Sequence, residues 1–314
     1  MAAGLAGVAI VFAAASGAVG NQSLRVAVDV NSLSVDAGAV EIAEYRYDDV
    51  PFKPYIKELY TPDGLNVLLD APHDHLHHHG LMFAVAVDGV DFWAETPQAG
   101  RQRHVRFADV VNATDGEEAR AGFVERLHWL DPGGEKLLVE ERAIVVDRPP
   151  GQGGTVLQWE SRLAAPTGKA SVTLTGSHYF GLGLRFIHEM DERGTFRNAD
   201  GKPGEIFRGE ERLVRSDWCA YTARVDGDDV TVAMFGHPDN PRHPATWFTM
   251  AEPFAYLSAT LGLHEKPLEI VEGEPVKLRY AVVLWDARPG TETIDRVYQQ
   301  WVRTSGGDSP QSIR

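Results

Sequence analysis

Five of the twelve histidines fall between positions 73 and 79, in the run Pro72-His73-Asp74-His75-Leu76-His77-His78-His79-Gly80. An imidazole titrates at roughly pH 6.5 when unperturbed, which makes it the natural proton carrier at neutral pH, and a neighbour such as Asp74 would fix its tautomer. His75 and His78 are therefore candidate proton-transfer groups, with His77 as a substrate contact. In neutral form the same rings are metal ligands. Two or three of them with Asp74 or Glu95 would make an open site for a divalent transition metal. A solvated polar loop is the plain alternative. Pro72 and Gly80 bracket the run as a loop feeding a strand; if its end is extended, His77 and His79 point to one face and His78 to the other.

Further chemistry-bearing residues lie downstream. Asp88-Gly-Val-Asp91-Phe92-Trp93-Ala-Glu95 sets carboxylates beside aromatic rings, a combination that suits a sugar, whose C–H face stacks on π surfaces while its hydroxyls bond to charge. Trp93 is a stacking candidate and Glu95 a candidate base, or the orienter of one. Gly176-Ser-His178-Tyr179 leads into a strand ending at Arg185, giving a third imidazole, a phenol and a guanidinium. Between Phe235 and Trp247, Pro238, Pro241 and Pro244 stiffen a loop that carries Asn240 and His243, so these two and Trp247 are expected to bind substrate. Gly181-Leu-Gly183 lacks the rest of a phosphate loop, and neither a Gly-x-Ser-x-Gly elbow nor a His-Glu-x-x-His helix occurs.

The elements that must position these groups read as strands. Apolar residues alternate at Leu24, Val26, Val28 and Val30, and the period of two returns at Leu81 to Val87, Arg103 to Val111, Lys136 to Val146, Thr246 to Met250 and Val276 to Trp285. Asp-Gly pairs at positions 63, 88, 115, 200 and 226 punctuate them. The predicted fold is all-β: a large antiparallel two-sheet β-sandwich. One C-terminal helix is predicted between Thr291 and Val302, where Ile294, Val297, Tyr298 and Trp301 form an apolar stripe. Residues 21–304 are read as a single domain and 305–314 as a flexible tail.

Composition narrows the partners. A net charge of -15 over 314 residues disfavours nucleic acid and anionic membranes. The single cysteine, Cys219, excludes an internal disulfide framework and reads as a buried, inert thiol. Residues 1–20 are small and apolar and resemble a secretory signal without its basic start, so export to the periplasm or beyond is expected, with no membrane partner once the signal is removed.

The blocks Asp74-His75-Leu-His77-His78-His79-Gly80, Gly89-Val-Asp91-Phe92-Trp93 and His237-Pro-Asp-Asn240-Pro-Arg-His-Pro-Ala-Thr-Trp247 resemble the soluble bacterial family labelled "methane oxygenase PmoA", over about Tyr45 to Trp285. His79 stands where an arginine is common in that family. The membrane subunit that gave the label is a bundle of long apolar helices, so copper-dependent methane oxidation is not implied. The resemblance implies a galactose mutarotase-like sandwich and acid–base work on sugars by histidines and a carboxylate. The expected function is therefore an exported carbohydrate-active enzyme that hydrolyses, eliminates or epimerises at a sugar carbon. His75, His78, Glu95 and His178 would be catalytic, with His77, Trp93, Tyr179, Arg185, Asn240, His243 and Trp247 binding substrate. No cofactor is expected; the alternatives are a metal-dependent enzyme built on the His73 to His79 cluster and a non-catalytic glycan-binding module.

Overall fold

Alternating burial records how the strands pack: Ser32–Ala37 shows one side chain buried and the next half-buried along its whole length, the signature of a sheet with one face on the core. The computed structural model describes residues 23–113, 119–148 and 153–305. The signal-like run 1–20, the Asp115-Gly116 turn, most of the 149–154 loop and the tail after Ser305 lie outside the described residues. The Asp-Gly pairs at 88 and 226 close hairpins. Both residues have positive φ at Asp88-Gly89 (49° and 83°) and Asp226-Gly227 (53° and 102°), the geometry whose twist matches the flanking strands.

The strands form an antiparallel all-β sandwich. A ten-stranded sheet runs in the order Leu24–Val28, Ser32–Ala37, Val40–Arg46, Tyr55–Leu59, Leu81–Ala84, Gly181–Arg185, Tyr256–Thr260, Thr246–Met250, Glu211–Arg215, Glu205–Arg208. An eight-stranded sheet runs Gly194–Asn198, Trp218–Val225, Asp228–Gly236, Val276–Trp285, Thr155–Ala164, Lys136–Arg148, Ala119–Leu130, Arg101–Ala113. A third, four-stranded sheet adds to the two expected, because the strand predicted over 81–87 breaks at Val85. Leu81–Ala84 stays in the large sheet, while Ala86–Val87 pairs with Ser171–Thr175 in the small one.

Large apolar side chains fill the space between the sheets, among them Trp129, Trp159 and Trp247, each fully buried. Arg142 is buried with them. Its guanidinium donates to Glu140 and Gln102 at 2.9 Å and to the Pro54 carbonyl at 3.1 Å, so the charge is paired.

The helix predicted near the C-terminus spans Thr291–Ser305 and buries Ile294, Val297, Tyr298 and Trp301. These pack on Trp218, Phe235, Ala281, Val283 and Trp285, on the outer face of the eight-stranded sheet. Each such burial stabilises by about 1.5–3 kcal/mol before entropy is counted. The helix end is held from the sheet: Arg279 donates to the Ser305 carbonyl at 2.5 Å and pairs with Asp239.

Register across the ten-stranded sheet decides which side chains share its outer face. Gly183 lies opposite Ser258, Ser258 opposite Phe248, and Phe248 opposite Leu213. Phe248 and Met250, two apart, therefore project on one side. Trp247, one residue before Phe248, projects toward the core.

Candidate active site

A cavity of about 270 Å³ lies over that outer face, lined by His75, His77, His78, Trp93, Tyr179, Arg208, Glu211, Phe248, Met250, Phe254 and Tyr256. Glycine makes room for it. A Cβ on Gly183 would stand 2.1 Å from the Tyr256 hydroxyl and 3.1 Å from the Trp93 ring, so only glycine lets these two rings approach the strand.

The histidine run is not extended. Two successive turns, His75 N–H to the Pro72 carbonyl and His78 N–H to the His75 carbonyl, both 2.9 Å, bring positions 75 and 78 over one another. Their rings stack at 4.7 Å and 17°, and His77 meets His78 edge-on at 4.5 Å. The expected split of His77 and His79 from His78 is thereby corrected: His77 and His78 share the cavity. His79 turns away to bond Asp70 and Glu95 instead.

These imidazoles differ in what they can do. Burial, reinforced by the neighbouring His77, His75 and Arg185, pushes the His78 pKa down to about 2, so it is neutral and offers hydrogen bonds only. His77 is half-buried, makes no hydrogen bond among the described residues, and is held below its ordinary pKa by burial and by Lys53. It is a neutral ring able to accept a proton. His75 bonds to Asp74 at 2.9 Å.

Three polar atoms of the lining are buried without a partner among the described residues: His78 Nδ1, Trp93 Nε1 and the Tyr256 hydroxyl. Such atoms are few in folded proteins and mark places where polarity serves something other than the fold. Aromatic faces surround them, with Trp93 stacked on Phe180 at 5.0 Å and Phe254 edge-on to His75 at 4.8 Å.

The carboxylate in the cavity is Glu211. His178 Nε2 donates to one of its oxygens, 2.9 Å away, and Arg208 donates to the other at 2.6 Å. His178 itself stands behind Glu211, bonded through Nδ1 to the Ser177 hydroxyl at 3.1 Å. Its pKa is lowered by burial, against the pull of Glu211. His178, the proton donor expected, does not line the cavity; it bonds Glu211, which does.

Glu95, the carboxylate expected from the sequence, lies one layer deeper. It accepts from Lys53 at 2.7 Å and His79 at 3.0 Å, and Lys53 also reaches the Trp93 carbonyl at 3.2 Å. Asp70 takes the other nitrogen of His79 at 2.7 Å and the Tyr55 hydroxyl at 2.9 Å. Burial opposes the charge on His79, but a carboxylate on each nitrogen outweighs it and holds the ring pKa above its ordinary value. Burial likewise opposes the charge on Glu95, and His79 and Lys53 overcome it, holding the carboxyl below its usual range.

Of the other expected contacts, Tyr179 lines the cavity, whereas Arg185 supports it from beneath. The Arg185 guanidinium pairs with Asp191 at 3.0 Å and sits over the Phe254 ring at 4.1 Å.

Asn240, His243 and Trp247 do not reach the site. The Asn240 amide clamps the main chain of Arg279 with bonds of 2.7 and 2.8 Å, His243 faces Asp217 at 3.2 Å, and the Trp247 N–H donates to the Ser216 carbonyl at 2.8 Å. The proline-rich loop holds the terminal helix and, through Arg242 on the Leu261 and Pro267 carbonyls, a neighbouring loop.

Sequence reasoning missed Arg208, Glu211, Phe248, Met250, Phe254 and Tyr256. Arg208 and Glu211 face each other across a tight hairpin, and Phe254 and Tyr256 keep a spacing of two; neither pattern stands out from ordinary strand chemistry. As for metal, the histidine rings do not gather three ligand atoms at one point. Among the described residues the group that does is Glu41, Glu44 and Glu58, where Lys57 already pairs with Glu44 and Glu58.

A family model described as a family of unknown function, DUF6807, matches residues 32–299, and the chain belongs to that family. That description names no activity and carries no PmoA label. No curated protein matches the sequence. Among solved structures, the alpha-galactosidase from Lactobacillus brevis is similar at 7% identity with a TM-score of 0.48, over 89% of this chain and 42% of that one. The chain thus spans less than half of the galactosidase. The Slr1438 protein from Synechocystis sp. PCC 6803 is similar at 9% identity with a TM-score of 0.36, over 83% of this chain and 95% of that one.

Proposed function

We propose that this member of DUF6807 is a carbohydrate-active enzyme that binds a sugar ring in the cavity and moves protons on it, with His77 and Glu211 facing the reacting atoms. One observation carries the reading. Three unpartnered buried polar atoms, on His78, Trp93 and Tyr256, line a cavity whose remaining wall is largely aromatic. A sugar answers both needs, since its hydroxyls pair with the polar atoms and its C–H face lies on the rings.

Proton transfer then divides by charge state. Glu211, held between the Arg208 guanidinium and the His178 ring, works as a carboxylate that accepts a proton or a hydroxyl hydrogen bond. His77, neutral and without a hydrogen-bond partner, takes a proton and returns it as the imidazolium. Hydrolysis, elimination and epimerisation share this step.

The test is incubation with a panel of oligosaccharides and glycosides, including oxidised 3-keto glycosides, read by mass spectrometry. Product is expected from the wild type, falling about 10²- to 10⁴-fold in His77→Gln and in Glu211→Gln. Saturable sugar binding with no product across the panel would assign a binding module instead. Absence of any sugar binding by calorimetry would overturn the reading altogether.

A further inference from the structure

We infer that the cavity holds one end of a longer substrate and that Phe207 is the platform for the next ring, so the substrate class is a glycoside whose second ring, sugar or aryl, lies outside the cavity. This rests on the carbohydrate reading above.

Size is the first reason. Pockets that enclose drug-sized ligands run to roughly 300–1,000 Å³. At about 270 Å³ this cavity has room for one sugar ring, and its exposed wall, Arg208, opens it to solvent. Anything attached to that ring must leave past the wall.

The second reason is what stands there. Phe207 is 47% exposed and is the one aromatic among the exposed large hydrophobics of the described residues. Among the described residues every other Phe, Tyr or Trp side chain is buried or half-buried. The ring is also held in place. It stacks on His178 at 3.8 Å and 22°, and His264 meets it edge-on at 5.8 Å.

Local backbone explains the aim of the side chain. The hairpin of Glu205–Arg208 and Glu211–Arg215 slips register between Ile206 and Arg208, so Phe207 is the extra residue of a β-bulge. A bulge re-aims a side chain that regular alternation would send to the opposite face. Here it turns Phe207 onto the ring of His178, whose partner Glu211 lines the cavity. Leu76, 65% exposed between the cavity residues His75 and His77, gives a second apolar edge. A preordered ring at a cavity mouth binds a second ring at little entropic cost.

The experiment compares three probes that share whichever sugar the panel identifies: its methyl glycoside, its p-nitrophenyl glycoside and a disaccharide. Wild type is expected to bind the two-ring probes about 3- to 10-fold more tightly than the methyl glycoside. Phe207→Ala should remove that gain while leaving methyl glycoside affinity unchanged, and Phe207→Trp should keep it. A gain with the aryl probe alone assigns an aryl aglycone; a gain with the disaccharide assigns an oligosaccharide. Equal binding of all three probes by wild type overturns the inference. So does an equal loss for all three in Phe207→Ala, which would make the ring a prop for His178. Failure of the methyl glycoside and every other sugar to bind is a different result, and it removes the carbohydrate reading itself.

Discussion

Replacing Tyr256 by Phe should move stability and affinity in opposite directions. The Tyr256 hydroxyl is buried with no partner among the described residues, and burial pushes its pKa upward. A buried hydroxyl left unpaired costs about 1–3 kcal/mol, so deleting it should stabilise the unliganded protein by about 1 kcal/mol. For a chain of this size that raises Tm by about 1.5–2 °C. If the hydroxyl exists to meet a ligand, its loss also removes a hydrogen bond worth about 0.5–1.5 kcal/mol, which weakens binding about 2- to 12-fold. Scanning calorimetry gives the first quantity and titration calorimetry with the sugar from the panel gives the second. A lower Tm in Tyr256→Phe refutes the reasoning, because the hydroxyl would then be paired in the native state. Unchanged affinity refutes its assignment to a ligand. Gly183 supplies an internal check. Gly183→Ala puts a methyl 2.1 Å from that same oxygen but 2.9 Å from the ring carbon that carries it. The alanine should cost about 1–3 kcal/mol in the wild type and markedly less in the Tyr256→Phe background.

Stability against pH should have two limbs. His79, raised in the folded state, contributes stability that is fully present below its unfolded pKa of roughly 6.5 and is lost as pH rises through its folded value. His78 and His237 are depressed by burial to about 2 and about 4, so the unfolded chain gains their protons first and stability falls as pH drops below roughly 6.5. Urea unfolding across pH should show His79→Gln flattening the alkaline limb and His78→Asn the acid one; unchanged limbs would refute both assignments. Asn240→Ala should destabilise by about 1–3 kcal/mol, since it strips two bonds from the Arg279 main chain, and leave sugar affinity alone. A drop in affinity would return Asn240 to the site. Cys219 is fully buried with its thiol pushed up by burial, so an aromatic disulfide reagent should label it only after unfolding.

The fold was legible because burial leaves a period in the sequence. The period of two over Lys136 to Val146 and the stripe of Ile294, Val297, Tyr298 and Trp301 each formed the element expected there, the strand Lys136–Arg148 and the helix Thr291–Ser305. The break at Val85 was not legible, since both halves of that strand are apolar and only pairing partners distinguish them. The histidine loop announced itself through residue type alone. Glu211 and Tyr256 did not, because a carboxylate and a phenol on strands become site residues only through register with Arg208 and Met250. The proline-stiffened loop at 237–247 misled for a related reason. Rigid polar loops that grip a ligand and ones that grip a helix have the same composition, and here the gripped groups are the main chain of Arg279 and the Leu261 and Pro267 carbonyls.

The two carboxylates near the histidines divide the work by depth. Glu95 has its charge committed to Lys53 and to the His79 ring, and a carboxylate so stabilised is a poor proton acceptor. What it does hold is geometry: Lys53 ties it to the Trp93 carbonyl and His79 ties it to the histidine loop, so one buried ion cluster fixes two walls of the cavity relative to each other. Glu95→Gln should therefore weaken sugar binding through displaced walls, and its effect should overlap with that of His79→Gln in a double-mutant cycle, with a coupling of about 0.5–3 kcal/mol in folding stability. Glu211→Gln keeps both walls and loses the charge that lines the cavity, so on the proposed mechanism its penalty should fall on turnover and add independently to that of His79→Gln. Strict additivity between Glu95 and His79, or a turnover loss for Glu95→Gln with unchanged binding, would make Glu95 the working carboxylate after all.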